Sequence, residues 1–158
     1  NDPTAIVAVY YAIGVYIWDE LCYQKGLSNK QIADVILNQN NRALVIADSA
    51  EPKSIDEIYS YGVNITAAEK GQDSVNNGIQ LIQGQKISVT KRSVNIIREY
   101  RNYLWETDRD GKILNEPEHQ FSHSMDAGRY AMSSLIKQPV FINKASDAVK
   151  PFYPELGL

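Results

Sequence analysis

The sequence predicts an α/β layered domain with a mixed sheet. Three observations carry this: an opening run of β-branched and aromatic residues that folds back on itself, an alternation of helices with short strands behind it, and a length of 158 residues that suits one buried core. Hydrophobic residues make up 44% and charged residues 22%, which excludes a disordered tail, a collagen-like repeat or a coiled coil.

The first strand pair comes from Ile6, Val7, Val9, Tyr10 and Tyr11, then Val15, Tyr16, Ile17 and Trp18, with a turn near Ala12 to Gly14. The uncharged stretch from Pro3 to Trp18 is too short and too rich in tyrosine to span a bilayer, which takes roughly 20 apolar residues. The chain also opens on Asn1-Asp2-Pro3, without the basic leader of a signal peptide, so no membrane association is expected. The second strand is expected to run to about Tyr23. Ser28 is placed as the N-cap of a helix whose apolar face is Ile32, Ala33, Val35, Ile36 and Leu37.

Ala43-Leu44-Val45-Ile46-Ala47 is five apolar residues ending at Asp48, the pattern of a strand buried on both faces. A short helix over 54–61, ending at Gly62, and a strand over 63–67 follow. Ser74 is placed as the cap of a helix carrying Val75, Ile79, Leu81 and Ile82, and 86–89 as a last short strand. The spacing of 93–105 predicts a long amphipathic helix with Ile96, Ile97, Tyr100, Tyr103 and Leu104 toward the core. Asp108 to Gly111 is a turn signal, 115–119 a polar break around Pro117, and 122–135 a final helix. Beyond it, a segment with Pro139, Pro151 and Pro154 reads as an extended tail, giving a domain over 1–138 and a tail over 139–158.

Sixteen basic against nineteen acidic residues give a net charge of −3, so contact with nucleic acid has to be local or carried by metal. A lone Cys22 forms no intrachain disulfide, and with two histidines it makes no structural zinc site; a reducing, intracellular setting is expected. No phosphate-binding P-loop, no G-x-S-x-G elbow and no glycine-rich dinucleotide fingerprint occurs.

Two places could carry chemistry. Asp48 directly follows a buried strand, where open α/β sheets place ligands, or else it is a turn or capping aspartate. Glu51 and Lys53 behind it read as solvated loop residues. His123 and Asp126 lie three apart on the last helix and share a face, suited to one ion or one water, or else they mark an exposed helix start where the dipole favours aspartate. His119, outside that helix, reads as an exposed loop residue. Tyr10, Tyr11, Tyr100, Tyr103 and Tyr130 fall at core-like spacings.

Taken together, Asn1-Asp2-Pro3-Thr4-Ala5, Ala47-Asp48-Ser49-Ala50-Glu51-Pro52-Lys53 and His123-Ser124-Met125-Asp126-Ala127-x-Arg129-Tyr130-Ala131 resemble the C-terminal nuclease domain of the large terminase subunit of tailed bacteriophages and prophages. Lys70-Gly71 and Glu99-Tyr100-Arg101-x-Tyr103-x-Trp105 also look like that family, and the resemblance extends over roughly residues 1–135.

The resemblance implies an RNase H-like fold, a mixed sheet flanked by helices, that cuts double-stranded concatemeric DNA during packaging with two Mg²⁺ or Mn²⁺ ions. Asp48 matches the second acidic ligand, Asp126 the third, and His123 a histidine found near the third in some members. The family's first catalytic aspartate lies a few residues before the Asn1-Asp2-Pro3-Thr4-Ala5 block, which places it upstream of this chain. The chemistry is coherent, because two divalent ions about 3.5–4 Å apart stabilise the attacking and leaving oxygens of phosphodiester hydrolysis, and hard cations take carboxylate oxygens.

The implied partners are double-stranded DNA, an upstream ATPase domain of the same polypeptide, the small terminase subunit and the portal, in the host bacterial cytoplasm at the procapsid. Two other readings are a catalytically incomplete DNA-binding or assembly module of the packaging motor, and an RNase H-like nuclease of resolvase or transposase type.

Overall fold

A computed structural model describes residues 2–103, 105–107, 109–117 and 119–137. Its first unit is the expected hairpin, β1 (Thr4–Ala12) against β2 (Val15–Gln24), antiparallel and with a bulge at Ile6/Val7. Ile13 and Gly14 turn the chain with φ of 50° and 77°, the two positive values that a type I′ turn requires. β2 also pairs in parallel with β5 (Ile87–Val89), so this sheet runs in the order β1-β2-β5. Val7, Val9, Tyr16 and Ile87 pack around Trp18 on its inner face. Tyr10 and Tyr11 depart from the core placement that their spacing suggests, at 47% and 64% exposure. Tyr10 alternates away from Val9 onto the outer face, and Tyr11 stacks at the rim on Tyr16.

The second unit begins with α1 (Asn29–Leu37), held by a capping box between Ser28 and Gln31. β3 (Val45–Ala47) and β4 (Ile65–Ala67) form a parallel pair, with α2 (Pro52–Ser60) in between and Pro52 in its first turn. Val45, Ala47 and Ile65 pack with Ala33, Ile58 and Val63 under α1 and α2. The expectation that 43–47 is buried on both faces fails: β3 has three half-buried residues and Leu44 is exposed. Val45 and Ala47 pack toward α1 and α2, whereas Ile46 lines a groove that α3 and α5 wall on its far side.

α3 (Ser74–Gln83) starts as expected, although its N-cap is Asp73 rather than Ser74. α4 (Val94–Arg101) is shorter than the 93–105 helix the spacing predicts, because the chain leaves it to form β6 (Trp105–Thr107), paired antiparallel with β7 (Ile113–Pro117). The polar break expected at 115–119 is therefore a strand followed by a 3₁₀ turn, His119–Phe121. Pro117 is tolerated there because it sits at the strand's end, opposite Trp105. Tyr100, expected in the core, is 71% exposed, whereas Glu99 is fully buried beside Ile96. Leu104 and the tail over 139–158 lie outside the described residues.

α5 (His123–Lys137) packs on β1, β3, α3 and α4 and joins the two units. Its start is set by buried carboxylate chemistry. Glu20 on β2 accepts the backbone N–H groups of Asn95 and Ile96 at 3.0 Å each and so caps α4. Glu99, on α4 itself, accepts from Ser124 N–H at 2.6 Å, Met125 N–H at 3.3 Å and the Tyr23 hydroxyl at 2.8 Å. Burial and the Glu99 carboxylate push that hydroxyl up to about 12, so it stays a donor. Two glycines then allow close approach. A Cβ on Gly128 would collide with the Trp18 indole, and one on Gly78 of α3 would stand 2.8 Å from the Arg129 stem.

Gly128→Ala is expected to destabilise the fold by about 1–3 kcal/mol, the scale of overpacking, read as a lower urea midpoint; an unchanged midpoint would show that α5 and β2 are not in that contact. Glu99→Ala leaves two helix N–H groups and a tyrosine hydroxyl without their acceptor, and a loss of about 3 kcal/mol is expected. Glu99→Gln, which keeps one acceptor oxygen, is expected to lose less. Equal losses in the two variants would argue against capping.

Candidate active site

Asp48 stands immediately after β3, at the carboxyl end of the β3-β4 pair. Its Oδ1 accepts from Ala50 N–H at 2.9 Å, an Asx turn that matches the turn reading while the N-cap of α2 is Glu51, and from the Lys70 ammonium. Oδ2 accepts from the Tyr130 hydroxyl at 3.2 Å. Lys70 arrives because β4 runs parallel to β3 and the chain leaves it on the same side, with Ala68 N–H bonded to Ala47 C=O at 2.7 Å. Partial burial opposes ionisation of Asp48, but the donors Lys70, Ala50 and Tyr130 outweigh it and hold its carboxyl below the usual range.

Asp126 lies in the first turn of α5, on the helix expected for it. Arg129, three residues on and 5% exposed, donates to Asp126 Oδ1 from Nη2 at 2.7 Å and from Nε at 3.3 Å. Its guanidinium also lies over the Tyr130 ring, 4.7 Å from the centroid, and the Lys70 ammonium stands 5.5 Å from the same centroid. Tyr130 thus touches the partners of both carboxylates. Burial raises its pKa first, and the charges of Asp48 and Asp126 raise it further, so both act on one phenol. Tyr103, after α4, is pushed up to about 12 by burial and then by the Asp126 charge.

The structure therefore brings Asp48 and Asp126 to one locality through Tyr130 and Arg129. His123 opens α5, half-buried, with its ring edge-on to Tyr23 at 6.5 Å between centroids. Glu51 and Lys53 are exposed at the start of α2, as expected. His119 belongs to the 3₁₀ turn rather than to a loop. Beside the site a groove of about 590 Å³ runs between β3-β4, α3 and α5, with Arg129, Tyr130, Asn77 and Ser133 on its walls.

Two carboxylates are hard oxygen donors of the kind that Mg²⁺ and Mn²⁺ take. Among the described residues no three His, Cys, Asp or Glu side chains gather as a group able to hold a metal, so the donors fit in kind and fall short of a two-ion set in number.

Sequence reasoning missed Lys70, Arg129 and Tyr130 as parts of this site. For Arg129 a signal existed, since an arginine three residues after an aspartate on a helix is a salt-bridge spacing. Lys70 and Tyr130 reach Asp48 across 22 and 82 residues, which no local pattern encodes.

The family described as the terminase RNase H-like domain matches residues 2–134. The large terminase subunit of Bacillus phage SPP1 is 37% identical over 145 residues, 87% of this chain and 34% of that protein, so the chain spans about a third of the relative's length. The g2p nuclease domain of bacteriophage SPP1, solved with bound Mn, superposes with a TM-score of 0.74 at 35% identity over 84% of this chain and 79% of that one. The large terminase of a thermophilic bacteriophage shares the fold at 19% identity, with a TM-score of 0.70 over 85% of this chain and 37% of that one. The mixed sheet flanked by helices is thus an RNase H-like fold, and the chain belongs to the terminase RNase H-like domain family.

Proposed function

We propose that this chain is the metal-dependent endonuclease domain of a phage DNA-packaging terminase, cutting double-stranded concatemeric DNA. The observation that carries the reading is the link from Asp48, at a strand end, through the Tyr130 hydroxyl and the Arg129 guanidinium beside its ring, to Asp126 on the last helix, in a chain of this family. Family membership removes the resolvase or transposase reading. Asp48 and Asp126 would hold the metal, and His123, in the same helical turn as Asp126, would orient a water or tune that ligand. Two Mg²⁺ or Mn²⁺ ions bound there would supply Lewis-acid stabilisation of the attacking and leaving oxygens. Lys70 and Arg129 add fixed positive charge beside the two aspartates, in a chain whose net charge is −3.

By the resemblance the ligand set would include a further carboxylate, carried on a strand of its own. β1 pairs with β2 on one edge and β3 with β4 on one edge; among the described residues the other edge of each carries no strand, while α5 packs on both. A strand pairing with residues 5–11 and carrying the family's first catalytic aspartate would join the two sheets. One observation also favours the incomplete-module reading: each carboxylate is already matched to a cationic side chain. By the same resemblance the implied partners are an ATPase domain of the same polypeptide, the small terminase subunit and the portal, in the host bacterial cytoplasm at the procapsid.

In the intact protein, Asp48→Asn and Asp126→Asn are each expected to abolish Mn²⁺-dependent plasmid cleavage while leaving the thermal unfolding midpoint within a few degrees. Cleavage at the wild-type rate by both would reject the assignment. His123→Ala is expected to slow cleavage by roughly ten- to a hundredfold, the range for residues that support a metal site, with unequal effects in Mg²⁺ and Mn²⁺. Residues 1–158 alone should nick plasmid poorly and a form extended upstream by about 15 residues should nick it well; full activity of the short form would show that no further carboxylate is needed, and an inactive long form would favour the assembly-module reading.

A further inference from the structure

Asp48 makes its three described hydrogen bonds unevenly. Oδ1 takes two donors, Ala50 N–H and Lys70, whereas Oδ2 takes one, the Tyr130 hydroxyl at 3.2 Å. A carboxylate offers about four lone-pair positions, two on each oxygen. Among the described contacts, Oδ1 is therefore filled and the position left for a cation is on Oδ2, beside the Tyr130 hydroxyl. That hydroxyl is itself held. Two cations stand within cation–π range of its ring, the Arg129 guanidinium at 4.7 Å and the Lys70 ammonium at 5.5 Å from the centroid. Arg129 in turn is fixed at two ends: its head binds Asp126 Oδ1, and its stem lies against Gly78 of α3, where a Cβ would come within 2.8 Å of it.

From these contacts we infer that Tyr130 is the positioning residue of the metal site: held by its cation–π contacts with Lys70 and Arg129, it fixes Asp48 Oδ2 beside the arginine that binds Asp126. It acts through Asp48. The inference rests on the proposed role of Asp48 and Asp126 as metal ligands, and it explains why a tyrosine follows Arg129 directly on α5: position 129 addresses one carboxylate and position 130 the other.

Mn²⁺ binding to the intact protein without DNA, followed by the electron paramagnetic resonance of free Mn²⁺, separates positioning from packing. Tyr130→Phe keeps the ring and its two cations and removes only the hydroxyl. It is expected to weaken Mn²⁺ binding about tenfold, as for loss of one hydrogen bond to a charged group, with the unfolding midpoint unchanged. Tyr130→Leu, which also removes the cation-binding face, should weaken binding further. Wild-type Mn²⁺ affinity in Tyr130→Phe would overturn the inference while leaving the metal site standing. Weakening that goes with an equal drop in the unfolding midpoint would overturn it in favour of packing. A wild-type protein that binds no Mn²⁺ would overturn the metal reading itself, and this inference with it.

Discussion

Glu99 places a carboxylate with no solvent exposure beneath the first turn of α5. Burying a charge costs several kcal/mol unless donors surround it, and here two helix N–H groups and the Tyr23 hydroxyl do so. The positive end of the α5 dipole adds to the attraction. The consequence is positional: the helix can begin at one residue only, and the rotation of every later side chain on it follows. A start shifted by one residue would turn each side chain by about 100° and carry Asp126, Arg129 and Tyr130 away from Asp48. Glu20 does for α4 what Glu99 does for α5, so the hairpin is coupled to the site through two successive caps.

On that fixed helix the rest is close packing and charge matching. Gly128 lets α5 approach Trp18, and Gly78 lets α3 approach Arg129, so the helix is pressed from two sides. Asp48 faces Lys70 and Asp126 faces Arg129, which relieves the repulsion two neighbouring carboxylates would otherwise feel. The same cations give the site a positive component that a net charge of −3 does not reveal. Metal binding at such a site would be an exchange among positive partners rather than the filling of a bare acidic cluster.

Much of this is legible in the sequence where the determinants are local. The hairpin follows from β-branched alternation around Ile13-Gly14, α1 from Ser28 and Gln31, and α5 from a start near Ser122. The placements of Asp48 after a strand and Asp126 on a helix follow from the same short-range patterns. The errors fall where tertiary context overrides them. Glu99 sits on the apolar face of α4, three residues from Ile96, so a hydrophobic count assigns that face to Tyr100 instead. β6 and β7 have a few residues each and a proline, too little for periodicity to register. Tyr130 looks like packing until its hydroxyl is seen on a carboxylate 82 residues away.

The central claim is that a buried cap on α5 brings Asp48 and Asp126 to face a common space. Anomalous scattering from a crystal of the intact protein soaked in Mn²⁺ tests it most directly. The account predicts a manganese peak within about 2.0–2.6 Å of Asp48 Oδ2 and of an Asp126 oxygen, with Glu99 still bonded to Ser124 N–H. Manganese bound away from both aspartates, or bound to them with Glu99 released from α5, would contradict it.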